Sequence, residues 1–288
     1  MTIAKGKDHQ ETEMSKPAAA PRSEADAPIL LRENRGGIAL LTMNRPEARN
    51  ALSEAMIGAL TDALKSVAAD SSIRAVVLAA NGPAFCAGHD LKELTAHRND
   101  PDRGRAYFER IFRQSAGLMQ AIVALPQPVV AGVQGLATAA GCQLAASCDL
   151  VVASESANFC LPGVDIGLFC SSPVVPVARK VGAGHAMEML FTGEPISAAR
   201  AREIGLVNRV VPVGKAFDEA LALARTVASK SAYVQRIGKA AFYRQLDMNL
   251  SDAYRHTTEV MVENALAYDS KEGIDAFLEK RAPKWEDR

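Results

Sequence analysis

Apolar residues along the chain fall into two alternating patterns, short branched runs and longer stretches with helical spacing. Ile29 to Glu33 and Gly37 to Met43 are short and branched, with Asn34, Arg35, Gly36 and Gly37 between them, which reads as a β-hairpin. From Ser53 to Ala68 the apolar residues Met56, Ile57, Leu60, Leu64 and Val67 recur at helical spacing, and Ser53 stands where a cap belongs. Arg74 to Ala80 is a continuous apolar run suited to a buried strand, and Asn81-Gly82-Pro83 turns the chain. The rhythm continues with a helix over Phe108 to Leu125, a strand over Pro128 to Gln134, a small-residue helix over Thr138 to Cys148 and a strand over Leu150 to Ala153. Such alternation predicts an α/β core with mostly parallel strands.

Beyond Pro173 helical patterns dominate: Val174 to Val181, Gly184 to Phe191 and Ser197 to Glu203, then a strand over Leu206 to Val211. Four more helices are expected over Ala216 to Ser229, Ser231 to Leu246, Leu250 to Tyr268 and Lys271 to Lys280. Three parts emerge: a polar tail over 1–28, a core over 29–212 and a helical region over 213–288. Leu250 to Phe277 carries more apolar residues than one copy is expected to bury, which points to self-association. The tail is rich in Lys, Glu, Ser, Pro and Ala and is expected to be disordered. It has no apolar stretch of a secretory signal, and Asp8, Glu11 and Glu13 count against a mitochondrial presequence.

Composition narrows the function classes. Lys and Arg number 33 and Asp and Glu 33, so no net field draws polyanions, and no basic stripe suggests nucleic acid. No apolar run is long enough to cross a membrane. The five cysteines (Cys86, Cys142, Cys148, Cys160 and Cys170) are odd in number and form no Cys-x-x-Cys pair, so neither a disulfide framework nor a metal site is expected. They read as reduced thiols of a cytoplasmic protein.

Two segments carry candidate chemistry. Phe85 to Leu94 follows a buried strand and a turn, and its small residues let a ligand approach the backbone. Gly135 to Leu144 also follows a buried strand and opens a helix, whose first N–H groups are unpaired and carry a partial positive charge. Accessible donors of that kind suit an oxyanion. Alone, the first could be a loop that merely reverses the chain, and the second could be close helix–strand packing.

Together, in this order and spacing, they resemble the two signatures of the enoyl-CoA hydratase/isomerase (crotonase) family. Phe85 to Asp90 matches Phe-x-Ala-Gly-x-Asp, and Gln134 to Ala137 with Ala145 to Asp149 matches most of the second signature. Thr192 to Ala198, Gly205 to Val207, and Glu272-Gly273 with Phe277 to Arg281 resemble downstream family patterns, so the likeness runs from about Ile29 to Trp285. The resemblance implies an α/β spiral of ββα units with a helical C-terminal oligomerisation region, assembled as a homotrimer or a dimer of trimers. It implies a CoA thioester as ligand and no separate cofactor. The two oxyanion-hole amides fall on His89 and Ala140, the latter followed by Gly141. Residues around Asn50, Ala51 and Leu52, and those from Ala87 through Gly88, Asp90 and Leu91 to Lys92, line the CoA groove, with Lys92 and Lys280 as candidates for CoA phosphates.

The chain departs from the family where a hydratase needs its two glutamates. The first falls on Gln143 and the second on Gly163, directly after Pro162; a third position, acidic in dienoyl-CoA isomerases, falls on Ser171. One subgroup of the family shares these losses. General acid–base catalysis contributes about 10²- to 10⁴-fold per group, roughly 3–5 kcal/mol of barrier. The expectation is therefore an acyl-CoA-binding protein with an oxyanion hole and impaired hydration. If the mapping is right, a Gln143→Glu, Gly163→Glu double variant gains hydratase activity. Asp165, two residues past Gly163, shares its face if that stretch is extended. His89 is of the residue type that titrates near neutrality, although a ring facing solvent would not serve the site. Asp165, His89 or Ser171 could then run a different acyl-CoA reaction, isomerisation or thioester hydrolysis; a non-catalytic binding or assembly protein is the further alternative.

Overall fold

The computed structural model describes Thr2 and residues 27–288, so the expectation for the 1–28 tail lies almost wholly outside the described residues. A six-stranded sheet has the order β1 (Leu30–Arg35), β2 (Ile38–Met43), β3 (Ala75–Ala80), β5 (Val129–Val133), β7 (Leu150–Ser154) and β10 (Arg209–Val211). Only the β1–β2 pair is antiparallel. Arg35 pairs with Ile38, so the hairpin turns on Gly36-Gly37 alone, at φ of 58° and 77°. Two consecutive positive φ values are what a two-residue type I′ turn requires. Asn34 and Arg35, expected in the turn, are therefore strand residues.

A second sheet of short strands stands beside the first: β4 (Ala84–Cys86), β6 (Leu136–Thr138), β8 (Asn158–Cys160) and β9 (Ile196–Ser197). Strand β3 passes into β4, β5 into β6 and β7 into β8, and each pair leads on to a helical segment. These are α2 (Leu91–Ala96) with α3 (Arg105–Ala124), then α4 (Ala140–Ser147), then the 3-10 turn Pro162–Ile166 with α5 (Val174–Lys180). Three ββα units wind on in succession, the α/β spiral expected from the resemblance. The 3-residue strands have no sequence signature of their own. Thr138, assigned to a helix by composition, ends β6, and α4 begins at Ala140.

Strand alternation distributes the core to the two faces of the large sheet. Leu41, Met43, Val76, Leu78, Val129 and Val151 face the spiral together with α1 (Glu54–Ala68), whose Met56, Ile57, Leu60, Leu64 and Val67 are all buried. Each such side chain contributes roughly 1.5–3 kcal/mol on burial. Ser53 caps this helix by accepting from the Met56 amide. On the other face Ile38, Leu40, Val77, Val130 and Val152 meet Ala220, Leu221 and Ala224 of α8 (Ala216–Ala228). Gly132 allows that contact, since a Cβ there would already lie 3.3 Å from the Ala220 Cβ.

Between α5 and α8 lie α6 (Ala183–Thr192) and α7 (Ala198–Glu203). The expected strand over Leu206 to Val211 is shorter than its apolar run. Leu206 and Val207 both donate to the Ala201 carbonyl, closing α7 through Gly205 at φ 89°, and only Arg209–Val211 joins the sheet. Three final helices follow: α9 (Ala232–Gln245), α10 (Leu250–Leu266) and α11 (Tyr268–Leu278). α10 buries no residue fully, and Leu250, Met261, Leu266 and Phe277 are strongly exposed. Among the described residues no helix is long and apolar enough to cross a membrane.

Candidate active site

Asn50 builds one wall of the site. It is fully buried in a loop where Arg49 and Asn50 both have positive φ, 50° and 53°. Its Oδ1 accepts from the Arg45 amide at 2.9 Å, and its Nδ2 donates to the carbonyls of Asn81 and Ala84 at 2.8 and 2.9 Å. That staple lays residues 49–52 alongside 87–90. Ala87 N–H donates to Arg49 O, Leu52 N–H to Gly88 O at 2.7 Å, and Asp90 N–H to Leu52 O. Gly88 O and Asp90 N thus point to one side, and strand alternation sends the intervening His89 N–H to the other. Ala51 is buried within this wall, and Asp90 caps α2 by accepting from Lys92 N–H while pairing with Arg45 at 2.8 Å. Burial opposes the Asp90 charge, but the bonds from Arg45 and the two amides outweigh it and hold its pKa below the usual carboxylate range.

The second wall is the start of α4. Ala139 adopts φ 51° and ψ −119°, a region that L-residues rarely occupy, and its N–H is held by Cys160 O at 2.9 Å. Ala140 follows as the first helical residue, so its N–H has no intrahelical partner. The two walls touch. A Cβ on Gly88 would lie 3.3 Å from Ala140 N, and one on Gly141 would lie 2.1 Å from Cys86 O. Neither His89 N–H nor Ala140 N–H donates to any acceptor among the described residues. Two unpartnered amides therefore lie on the two segments that meet at this contact.

Gln143 stands one helical turn beyond Ala140, is 4% exposed, and donates through Nε2 to Ser172 O at 3.1 Å. Its Oε1 is buried and has no partner. Gly163 is buried with no room for a side chain: a Cβ would meet Leu168 O at 1.8 Å and Cys170 Sγ at 2.9 Å. The stretch from Pro162 is a 3-10 turn, not extended, because Leu168 and Gly167 amides fold back onto Gly163 and Val164. Asp165 therefore does not share the face of Gly163; it is exposed, with its carboxylate toward the backbone at Gly193. Ser171 is exposed too, and its hydroxyl has no partner among the described residues.

The enoyl-CoA hydratase/isomerase family model matches residues 33–288. The chain belongs to the enoyl-CoA hydratase/isomerase family. Human enoyl-CoA hydratase domain-containing protein 3, mitochondrial, is 45% identical over 269 residues, covering 93% of this chain and 87% of that protein. The crystal structure of the human protein matches with a TM-score of 0.85 at 44% identity, covering 90% of this chain and all of that one. An enoyl-CoA hydratase from Mycobacterium smegmatis matches with a TM-score of 0.85 at 48% identity, over 90% and 99% of the two chains. These likenesses include the subgroup that the runs around Gly88 to Leu94, Leu136 to Gln143 and Gly163 to Ser172 most resemble.

Within this family member the His89 ring does not face solvent. It meets Phe112 edge to face at 5.3 Å, its Nε2 is buried without a partner, and burial pushes its pKa down to about 4. The ring is neutral at pH 7 and does not titrate near neutrality. The unfolded chain takes up this proton near pH 6.5 and the folded chain only near 4, so acid favours unfolding. Stability from this group is intact above about pH 6.5 and falls as pH drops toward 4, by up to about 3 kcal/mol. An NMR titration should place His89 near 4, and denaturant unfolding of His89→Phe should depend less on pH across that window. A His89 resonance titrating at 6 or above would contradict this.

The remaining expected groove residues are only partly gathered. Ala87, Leu91 and Lys92 lie on the first wall and the opening turn of α2, where Leu91 and Lys92 are exposed. Lys280 sits past the end of α11, at φ 57°, and α11 itself packs against α9 and α10. Among the described residues no group of three or more His, Cys, Asp or Glu could hold a metal ion. Sequence reasoning placed Asn50 only among the groove residues the resemblance implies and missed its stapling hydrogen bonds, although an Asn beside a turn is the side chain best suited to positive φ. It also missed the Ser172 carbonyl, which no side-chain pattern reveals.

Proposed function

We propose that this protein binds acyl-CoA thioesters, gripping the thioester carbonyl with the His89 and Ala140 amides as an oxyanion hole, and that hydration is impaired because both family glutamates are replaced. The observation that carries this is the pairing of two free amides with acid–base positions held by Gln143 and Gly163. Among the described residues, the titratable groups nearest the site are poor substitutes for the two glutamates. Asp165 turns toward Gly193, Asp90 is committed to Arg45, and burial leaves His89 a weak base with no acid form at neutral pH. The placement of Asp165 and Ser171 favours a binding role over isomerisation or thioester hydrolysis through those side chains. The neighbouring cysteines offer no substitute, since burial raises the thiol pKa of Cys142, Cys160 and Cys170.

The exposed apolar face of α10 and α11 supports self-association, and a homotrimer or dimer of trimers is the assembly we propose. Five buried, unbridged cysteines fit a reducing compartment, for which the cytoplasm is our reading; the vertebrate relatives are named as mitochondrial. The decisive experiment is a panel of acyl-CoA thioesters scored for both binding and conversion. Micromolar binding with turnover of crotonyl-CoA no faster than the uncatalysed blank is expected. Absence of binding across the panel ends the thioester reading, and rapid hydration ends the claim of lost chemistry.

A further inference from the structure

We infer that the Ala139 methyl group is a specificity filter, one that excludes acyl thioesters branched at the α carbon, the atom next to the thioester carbonyl. The inference rests on the thioester reading above and deepens it.

The backbone at Ala139 is one that glycine suits best. A φ of 51° with ψ of −119° presses an L side chain against its own main chain. The other non-glycine residues at positive φ among the described residues are Arg49, Asn50, Arg103, Lys280 and Asp287, all with polar side chains. Ala139 has no polar group to form a local hydrogen bond in return. The conformation is imposed from both sides. Ala139 N–H donates to Cys160 O at 2.9 Å, and Ala139 O accepts from Gln143 N–H at 3.0 Å. The methyl is thus carried against the preference of its own backbone, and strain over-determined in this way clusters where ligands are clamped.

The methyl stands where the two walls meet. A Cβ on Gly88 would lie 3.1 Å from the Ala139 Cβ and 3.3 Å from Ala140 N. Gly88 directly precedes His89 and Ala139 directly precedes Ala140, so the contact is one residue from each unpartnered amide. Gly88 and Ala140 are buried, whereas Ala139 is only half-buried and keeps surface to present to a ligand. A carbonyl oxygen held by both amides brings its carbon, its sulfur and its α carbon to this seam. The sulfur is common to every CoA thioester, so discrimination falls on the acyl side, and the α carbon is the first atom whose substituents vary. An unbranched chain offers hydrogens there. A branched one sets a second methyl against that of Ala139. Neither wall is free to yield, since Gly88 O is held by Leu52 N–H at 2.7 Å and Ala139 by the two bonds above. The crowding is relieved only by loosening the grip on the carbonyl.

The test is calorimetric titration of the full-length protein with three thioesters: butyryl-CoA, its α-branched isomer isobutyryl-CoA, and isovaleryl-CoA, branched one carbon further out. Wild type should bind isobutyryl-CoA about 10-fold more weakly than butyryl-CoA, with isovaleryl-CoA within about twofold of butyryl-CoA. In Ala139→Gly, which removes only the methyl, the ratio of isobutyryl-CoA to butyryl-CoA affinity should come within about twofold of one. The Tm of that variant should not fall below that of wild type, because glycine adopts this φ freely. Equal affinity of wild type for butyryl-CoA and isobutyryl-CoA overturns the inference, leaves the thioester reading standing, and needs no variant. Discrimination that persists in Ala139→Gly overturns it too, as does equal rejection of both branched thioesters by wild type. A lower Tm for Ala139→Gly with the ratio unchanged assigns the methyl to packing instead. If none of the three thioesters binds, the thioester reading fails and takes this inference with it.

Discussion

Installing both family glutamates, Gln143→Glu with Gly163→Glu, will yield a protein that folds poorly and hydrates crotonyl-CoA no faster than wild type. Aligned letters alone favour the opposite result, a gain of hydratase activity. The obstacle is backbone. A Cβ on Gly163 would stand 1.8 Å from the Leu168 carbonyl oxygen and 3.0 Å from its carbon, with Cys170 Sγ on a further side. Side chains could swing aside, but Leu168 O belongs to a turn whose own amide donates back to Gly163 O at 2.8 Å. Admitting any side chain means unwinding that turn.

Overpacking of this kind costs more than about 3 kcal/mol when backbone must move. A drop in Tm on the order of 10 °C is expected. Gly163→Ala is the informative control, because the clash is at Cβ and the loss should be nearly as large without any charge. Gln143→Glu adds a smaller penalty by removing the donor to Ser172 O. Thermal unfolding of the three variants beside a crotonyl-CoA assay decides the matter. A double variant that melts within a few degrees of wild type and hydrates crotonyl-CoA would show that the turn is softer than its geometry indicates.

What could be read from letters divides by whether a side chain or the main chain sets the outcome. Met56, Ile57, Leu60, Leu64 and Val67 were legible because helical periodicity and burial are the same fact. Strands β2, β3, β5 and β7 of the large sheet were legible because both of their faces are covered, which writes a continuous apolar run. The 3-residue strands β4, β6 and β8 were not, because three residues hold no period. Candidate site residues divide in the same way. The two amide-bearing segments were read through their joint resemblance to the family signatures, since small residues alone left each of them open. Asp165 was placed by assuming an extended chain, and the 3-10 turn after Pro162 rotated it elsewhere. The crowding of Gly163 by Leu168 O and the anchoring of Gln143 by Ser172 O are carbonyl contacts, and carbonyls are common to every residue.

Asp149 is legible in the sequence as the end of a family pattern, yet its work appears only in three dimensions, where its loss should be costly. Lys239 of α9 is 8% exposed at its side chain and donates to the carbonyls of Ile122 and Gln127, each at 3.1 Å, and to Asp149 at 2.7 Å. Asp149 also accepts from Val129 N–H at 2.7 Å and from the Tyr243 hydroxyl at 2.9 Å. One buried carboxylate therefore ties the edge of β5 to α9. Lys239→Met leaves that carboxylate and two carbonyls short of a donor. Breaking one side of such a pair costs about 3–5 kcal/mol, and Tm should fall by roughly 10 °C. Removing both charges in Lys239→Met, Asp149→Leu should recover part of that loss in a double-mutant cycle, since the isolated charge is the larger cost. Hydrogen exchange should show protection lost first over α9 to α11, with β3 and β5 retained, because α8 seals the sheet independently. A Tm within 2 °C of wild type for Lys239→Met, by the scale of roughly 2–4 °C per kcal/mol, would mean that α9 is held by its apolar contacts alone. The same variant bears on the assembly proposed above: α10 and α11 carry the exposed apolar face, so if that face is an interface between copies, a loosened α9 should weaken it in proportion to the protection lost.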